Sequence, residues 1–553
     1  MNFEKIKSVW HFFEKFHFSL VIASMLFLLL LVKNPFSERT LIPNFEPFPD
    51  TFHYVTSARS FLAGFGLNLV REGRILAPNV PPLYSVTLVP LFAIYNDPRV
   101  FYFTNVILSL ASLTLFYLII KKIIKNIWII GLVLFLYVTN YFLYWYPTLA
   151  MAENLILPLF LSAVFLLISP PTKLKTVFAG FLAIAFYATK YAAAPLTVIF
   201  LFCYGLKILS AKQIKKDYSF MSLFIFSFLF GVLLFFGYEY TAKGQNIFSP
   251  LVSFIAKIAP KFPVGESQLP SGTPTFSMTY LATNLPQYLG AITGKPMKFL
   301  WDQTPIVPTI FAIPGLIGLL VGLFYKNFRF LSAGLLFMLF GKILFISTFY
   351  SADARFIFPA IPTLLIGFAL FLSFIFDFLE KKQFKFLFYT LFFGLFIFYS
   401  AANAVRFKNQ TMLNLKYAET PWYYISVKKL NQYFTQGLIK DNKKPVVISA
   451  LPPYLIDFYS NGNYTLLPLS SDQDFRNQKE IVWGSNDYSD LPRLYAKYIQ
   501  NGYPVYVAKY GLGNEGYLHN DYRKIEEKFQ LTQVVSGCYE LCNVYKLELK
   551  DSL

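Results

Sequence analysis

The feature that most constrains this chain is a series of apolar runs, each near the roughly 20 residues an α-helix needs to cross a bilayer. They fall at 17–33, 100–120, 127–146, 148–169, 174–190, 192–210, 218–238, 306–325, 329–350, 355–377 and 385–404. Only 14% of the 553 residues are charged, against 56% hydrophobic and 20% aromatic; ordinary globular chains are about 25% charged. A soluble enzyme is excluded. The chain is predicted to be an α-helical polytopic membrane protein with about eleven transmembrane helices. No small-residue cleavage site follows the first run, HFSLVIASMLFLLLLV, so an uncleaved anchor is expected rather than a signal peptide.

The net charge of +19 does not point to nucleic acid, because of where it lies. Residues 404–553 carry 18 Lys/Arg and 15 Asp/Glu, leaving +16 for the preceding 403 residues. Much of that excess sits in alternate short loops: Lys121, Lys122 and Lys125; Lys173 and Lys175; Lys207, Lys212, Lys215 and Lys216; Lys326 and Arg329; Lys381, Lys382 and Lys385. Basic short loops face the cytoplasm. The expected protein is a multi-pass plasma-membrane protein with a cytoplasmic N-terminus. Its extracytoplasmic mass comprises two long loops, 34–99 and 239–305, and a C-terminal domain. The domain boundary is expected at 405/406.

Connections longer than about 15 residues usually have a function. In the first loop, DTFHYVTSARSFLAG reads as an amphipathic helix ended by glycine, and PPLYSVTLVPLFAIY as an apolar segment opened by prolines. In the second, TYLATNLPQYLGAI reads as an interfacial helix. The tail alternates patterns: PWYYISVKKLNQYF helical, PVVISA and YPVYVAKY strands, NDYRKIEEKF helical, then the strand pair LTQVVSG and NVYKLEL. A small α/β domain with a mainly parallel sheet is predicted. It holds no GxGxxG, P-loop or GxSxG, so substrate shaping or partner binding is the expected role. Cys538 and Cys542 could close a hairpin bridge in an oxidising compartment, and no second Cys/His pair completes four metal ligands around them. Cys203 reads as a packing residue.

Charges inside spans are costly and mark functional sites. At about 1.5 Å per residue, Glu153 lies roughly 9 Å inside the outer mouth of the fourth span and Lys342 roughly 12 Å inside the ninth. Lys190 closes the fifth span and Arg355 opens the tenth. All four gather at the outer half. Lys190 and Arg355 also read as cations that snorkel to headgroups, Glu153 as a polar helix start, and Lys342 as an ion-pair partner. Three cations and one carboxylate leave a positive pocket suited to a lipid-linked phosphate. In the first outer loop, Asp50 follows Pro49 at a helix start, with Tyr54 and Ala58 on the same face. It reads either as an N-cap or as a chemical group. His53 beside it is a candidate acceptor ligand, although a lone loop histidine is more often a surface residue.

These stretches resemble the GT-C superfamily of integral-membrane glycosyltransferases, particularly the branch of protein O-mannosyltransferases and lipid A aminoarabinose transferases. The carriers are PDTFHYVTSARSFLAG, PPLYSVTLVPLF, YPTLAMAENLILPLF, ATKYAAAP and ARFIFPAIP, in that order. The resemblance implies an inverting transferase that takes a sugar from a polyprenyl-phosphate donor and passes it to a protein, lipid or glycan acceptor on the outer face. It implies Asp50 as base, with Tyr54, His53, Glu153, Lys190, Lys342 and Arg355 binding substrates. Thr51 stands where many members have a second acid, Phe356 where Tyr is usual, and Lys190 where Arg is common. A divalent metal is compatible with Asp50 and Glu46 or Asp353 but not indicated, and no other cofactor is expected. An oligosaccharyl or lipid-glycan transferase is the nearest alternative. A lipid or polysaccharide transporter would call for paired broken helices and mid-membrane charges, which the sequence does not display.

Overall fold

The computed structural model describes residues 17–33, 35, 49–71, 74–76, 80–95, 97–210, 219–243, 277–299, 302–381, 384–415, 433, 443–449, 464–469, 490–510, 519–535 and 542–550. In chain order these form α1 (Phe18–Leu31), α2 (Pro49–Leu62), the hairpin β1 (Leu69–Arg71) and β2 (Arg74–Leu76), α3 (Pro82–Ile94), α4 (Phe101–Ile123), α5 (Ile127–Val138), α6 (Tyr141–Trp145), α7 (Glu153–Ile168), α8 (Lys173–Thr189), α9 (Ala194–Ser210), α10 (Ser219–Lys243) and α11 (Met278–Ile292). Then follow the hairpin β3 (Met297–Phe299) and β4 (Asp302–Thr304), α12 (Thr309–Gly322), α13 (Arg329–Ile346), α14 (Ala360–Lys381) and α15 (Lys385–Leu415). The tail holds β5 (Val446–Ser449), β6 (Thr465–Pro468), α16 (Leu491–Gln500), β7 (Val505–Tyr510), α17 (His519–Lys528), β8 (Phe529–Val535) and β9 (Cys542–Leu549).

Two compact units result. One comprises Met1–Asn44, Asn79–Ile258 and Phe276–Tyr417; the other comprises Phe45–Pro78, Ala259–Thr275 and Ala418–Leu553. The first is a helical bundle in which every predicted apolar run is mostly helical. Six described helices are long and apolar enough to cross a membrane by themselves, and a bent pair makes a seventh. Phe18–Leu31, Glu153–Ile168 and Thr309–Gly322 are apolar but shorter.

Local chemistry sets the ends of these helices. The Asn126 side chain accepts from the backbone N–H of Trp128 and Ile129 to start α5. Lys121 and Lys122 complement the dipole in the last turn of α4. The bent pair breaks at Thr139–Asn140, where α5 and the Tyr141–Thr148 segment meet at 54°. Asn140 stabilises the break by capping Phe142 and donating to the Ile306 carbonyl at 2.8 Å. Most of α7 is buried and apolar on all sides, as expected of a central strut.

α12 and α14 cross at glycines. A methyl group on Gly318 would collide with the Gly367 carbonyl, and one on Gly367 with the Gly315 carbonyl. Small residues let membrane helices approach backbone to backbone. Gly318→Ala is therefore expected to cost about 1–3 kcal/mol, the range for overpacking, read as a lower unfolding temperature in detergent. An unchanged unfolding temperature would show that this crossing yields easily.

In the second unit, α2 starts with Pro49 at its first position and runs to Leu62. It is followed by Gly64 in the left-handed region, φ 84°, which closes the helix as the sequence pattern predicts. The C-terminal sheet has the order β6-β5-β7-β9-β8. β5 is buried along its length and lies parallel to β6 and β7, whereas β9 is antiparallel to both β7 and β8. The sheet is therefore mixed rather than mainly parallel, because β8 and β9 are joined by a connection too short for a parallel crossover. β6 and α16 were not predicted. The helix predicted at PWYYISVKKLNQYF, apart from Tyr433, and residue Cys538 lie outside the described residues.

Candidate functional site

The bundle's ionisable residues converge at helix joints. Glu153 opens α7 after the non-helical stretch Leu149–Ala152, and Lys190 ends α8. Lys190 Nζ lies 2.5 Å from Glu153 Oε1, both side chains largely withdrawn from solvent. Lys342, 6% exposed on α13, is within electrostatic reach of both Glu153 and Lys190. Arg355 sits in the 3-10 turn Ala354–Ile357 that leads into α14. The Asp353 carboxylate caps that turn, accepting from the Arg355 N–H at 2.9 Å, and lies 3.7 Å from Arg355 Nε.

Phe356 joins the two halves of the cluster. Its ring takes the Arg355 guanidinium at 4.8 Å and the Lys190 ammonium at 5.6 Å, each a favourable cation–π placement. With Lys190, Lys342 and Arg355 against Glu153 and Asp353, the cluster's formal charge is +1. Asp353 is buried, and desolvation pushes its carboxyl above the usual carboxylate range; the Arg355 charge and N–H pull it part of the way back. Lys342 also lines a small cleft, with room for about one water molecule, together with Phe160, Met338, Leu339, Ile357 and Thr363. The cleft wall is apolar apart from this ammonium and the threonine hydroxyl.

A layer of neutral polar groups fixes the joints. Asn105 donates to the carbonyls of Pro147 and Leu149 at 2.9 and 2.8 Å, and its own carbonyl accepts from the Tyr84 hydroxyl at 2.7 Å. Asn154 donates to the Leu149 and Met151 carbonyls at 2.9 and 3.0 Å. These carbonyls of the unwound backbone before Glu153 are thereby satisfied although buried, as non-helical backbone inside a membrane bundle requires. On the other side, Asn284 of α11 donates to the Phe349 carbonyl at 2.6 Å, and the Tyr288 oxygen accepts from the Asp353 N–H at 3.2 Å.

The bundle thus brings together Glu153, Lys190, Lys342 and Arg355, and adds Asp353. Asp50, His53 and Tyr54 share two turns of α2 in the second unit, where His53 and Tyr54 are 5% and 1% exposed. His53 is therefore not a surface residue. Among the described residues no three His, Cys, Asp or Glu side chains converge as metal ligands. Asn105, Asn154, Asn284, Tyr84 and Tyr288 were missed from sequence, and Asp353 was read there only as a possible metal partner of Asp50, not as the partner of Arg355. Only Asp353 had a local signal there, its place two residues before Arg355.

No known protein-family profile matches the chain, and no curated protein matches it. Among solved structures it is similar to ArnT from Cupriavidus metallidurans bound to undecaprenyl phosphate, with a TM-score of 0.59 and 11% identity over 96% of this chain and 97% of that one. It is likewise similar to the apo state of the same protein, with a TM-score of 0.60 and 11% identity over 98% of each chain. Identity this low shows a common fold, and that fold extends over nearly the whole length: a bundle of apolar helices and a C-terminal α/β domain.

Proposed function

We propose that the protein is an inverting glycosyltransferase that moves a sugar from a polyprenyl-phosphate donor to an acceptor on the outer face of the membrane. The observation that carries this reading is the positive cluster of Lys190, Lys342 and Arg355 beside an apolar-walled cleft. A phosphate with a hydrocarbon tail needs that combination of cations and apolar surface. The fold is one that a protein crystallised with undecaprenyl phosphate also has.

In this reading Arg355 grips the donor phosphate, with Lys190 and Lys342 adding charge. As the bond between the anomeric carbon and the phosphate oxygen breaks, the negative charge gathering on the leaving phosphate meets cations already in place. The acceptor oxygen forms the new bond from the opposite face, which inverts the anomeric centre, and its proton passes to a base. The base we propose is Asp50, on the resemblance of the first outer loop, with Tyr54 and His53 on the acceptor. Glu153, fixed by Lys190, orients the cations or a sugar hydroxyl. The acceptor is a protein, lipid or glycan.

Binding of undecaprenyl phosphate to the purified protein tests the donor site. Arg355→Lys is expected to weaken binding about ten- to a hundredfold although the charge is kept, because an ammonium lacks the planar fork and a charged hydrogen bond contributes roughly 1.5–3 kcal/mol. Arg355→Ala is expected to be weaker still. Equal affinity in all three proteins would remove Arg355 from the phosphate site.

A further inference from the structure

The end of the bundle away from Glu153 holds a second concentration of charge. α7 rises about 24 Å from Glu153 to Ile168, and at its far end three lysines from three other helices meet around Ser169. Lys122 of α4 donates to the Ser169 hydroxyl at 2.9 Å. Lys207 of α9 donates to the carbonyls of Leu166 and Ser169. Lys175 of α8 lies 3.4 Å from the Pro170 carbonyl. The three ammoniums are within electrostatic reach of one another. No carboxylate among the described residues forms an ion pair with any of them.

Such a trio is costly as cations unless something anionic joins it: its formal charge exceeds the roughly half negative charge that a helix C-terminus supplies. The surroundings indicate the form of the missing anion. Leu174, next to Lys175, is 80% exposed, and Leu206 and Leu209, on either side of Lys207, are 43% and 62% exposed. Apolar side chains so exposed at the end of a membrane helix face lipid chains. A soluble anion would use the lysines and ignore the leucines, whereas a lipid with a charged headgroup uses both.

We propose that Lys122, Lys175 and Lys207 form a headgroup site for an anionic phospholipid, whose acyl chains run along Leu174, Leu206 and Leu209. The headgroup phosphate lies among the ammoniums, over the Ser169 hydroxyl, and offsets the repulsion between α4, α8 and α9 ends. Basic pockets between membrane helices take anionic headgroups by this chemistry. Because Ser169 and Glu153 stand at opposite ends of α7, the site is separate from the proposed donor site and does not depend on it.

The test uses the full chain in nanodiscs of phosphatidylcholine with graded phosphatidylglycerol, reading retained lipid by native mass spectrometry. Wild type is expected to retain phosphatidylglycerol preferentially. Lys122→Gln/Lys175→Gln should lower that preference by about fivefold per lysine, on the order of thirtyfold for the pair. Lys207 is left in place because it also caps the helix. Lys125→Gln/Lys326→Gln removes the same charge elsewhere and should leave the preference unchanged. Equal retention of both lipids by wild type, or an equal loss in the Lys125/Lys326 variant, would overturn the site. Displacement of the lipid by millimolar inorganic phosphate would reassign the cluster to a free anion and overturn the lipid.

Discussion

Sugar transfer by an Asp50→Asn protein is expected to fall by roughly a hundred- to ten-thousandfold, the contribution of a positioned general base. Asparagine is nearly isosteric and is tolerated in the first turn of a helix such as α2, so folding should be retained. Its amide cannot take up the acceptor's proton. Binding of undecaprenyl phosphate should stay at the wild-type level, because proton transfer takes no part in holding the donor. The decisive pair of measurements is turnover with a polyprenyl-phosphate sugar and affinity for undecaprenyl phosphate. Near wild-type turnover would show that Asp50 is not the base, and Glu46 and Glu153 would be examined next.

The second large effect is expected on stability. Lys190→Met leaves the Glu153 carboxylate, 3% exposed, without the ammonium now 2.5 Å away. Breaking a buried pair from one side costs about 3–5 kcal/mol, because the remaining charge is still buried. Lys342 and Arg355 are close enough to soften the loss, so the lower end is expected. Adding Glu153→Gln should recover most of it, since the double variant buries no orphaned charge. Unfolding midpoints of the two single variants and the double one decide the matter. If the double variant is no more stable than Lys190→Met, the pair is not coupled as the geometry requires.

The bundle was legible because a spanning run is a long, redundant signal: every predicted run is mostly helical despite prolines inside α7 and α12, although the run 127–146 became a bent pair. Glu153, Lys190, Lys342 and Arg355 were legible for the converse reason, as a charge in an apolar run is conspicuous. The pairing of Asp353 with Arg355 was not, since Asp353 lies in the polar stretch SADAR and gains that role only when a 3-10 turn folds it against Arg355. Asn105 and Asn154 serve carbonyls of a segment whose unwinding no local pattern announces. Asn105 reaches carbonyls 42 and 44 residues further along the chain. α16 did carry start signals, with Asp490 capping the Arg493 N–H and a proline in its first turn, but only ten residues of pattern supported them. β6 is shorter still, four residues ending in proline, below the length at which alternation can be counted.

The glycine crossing of α12 and α14 bears on how the molecule can change its dimensions. Two helices separated by side chains can slide by repacking rotamers, whereas two that touch through their backbones have no soft layer between them. They form one girder. The turn bearing Arg355 is continuous with α14, so the guanidinium takes its coordinates from that girder. Glu153 takes its place from the joint before α7, where Asn105 and Asn154 hold the carbonyls of Pro147, Leu149 and Met151. A substrate too wide for the cluster thus meets an anvil on the Arg355 side, and the give in the site belongs to the joint before α7.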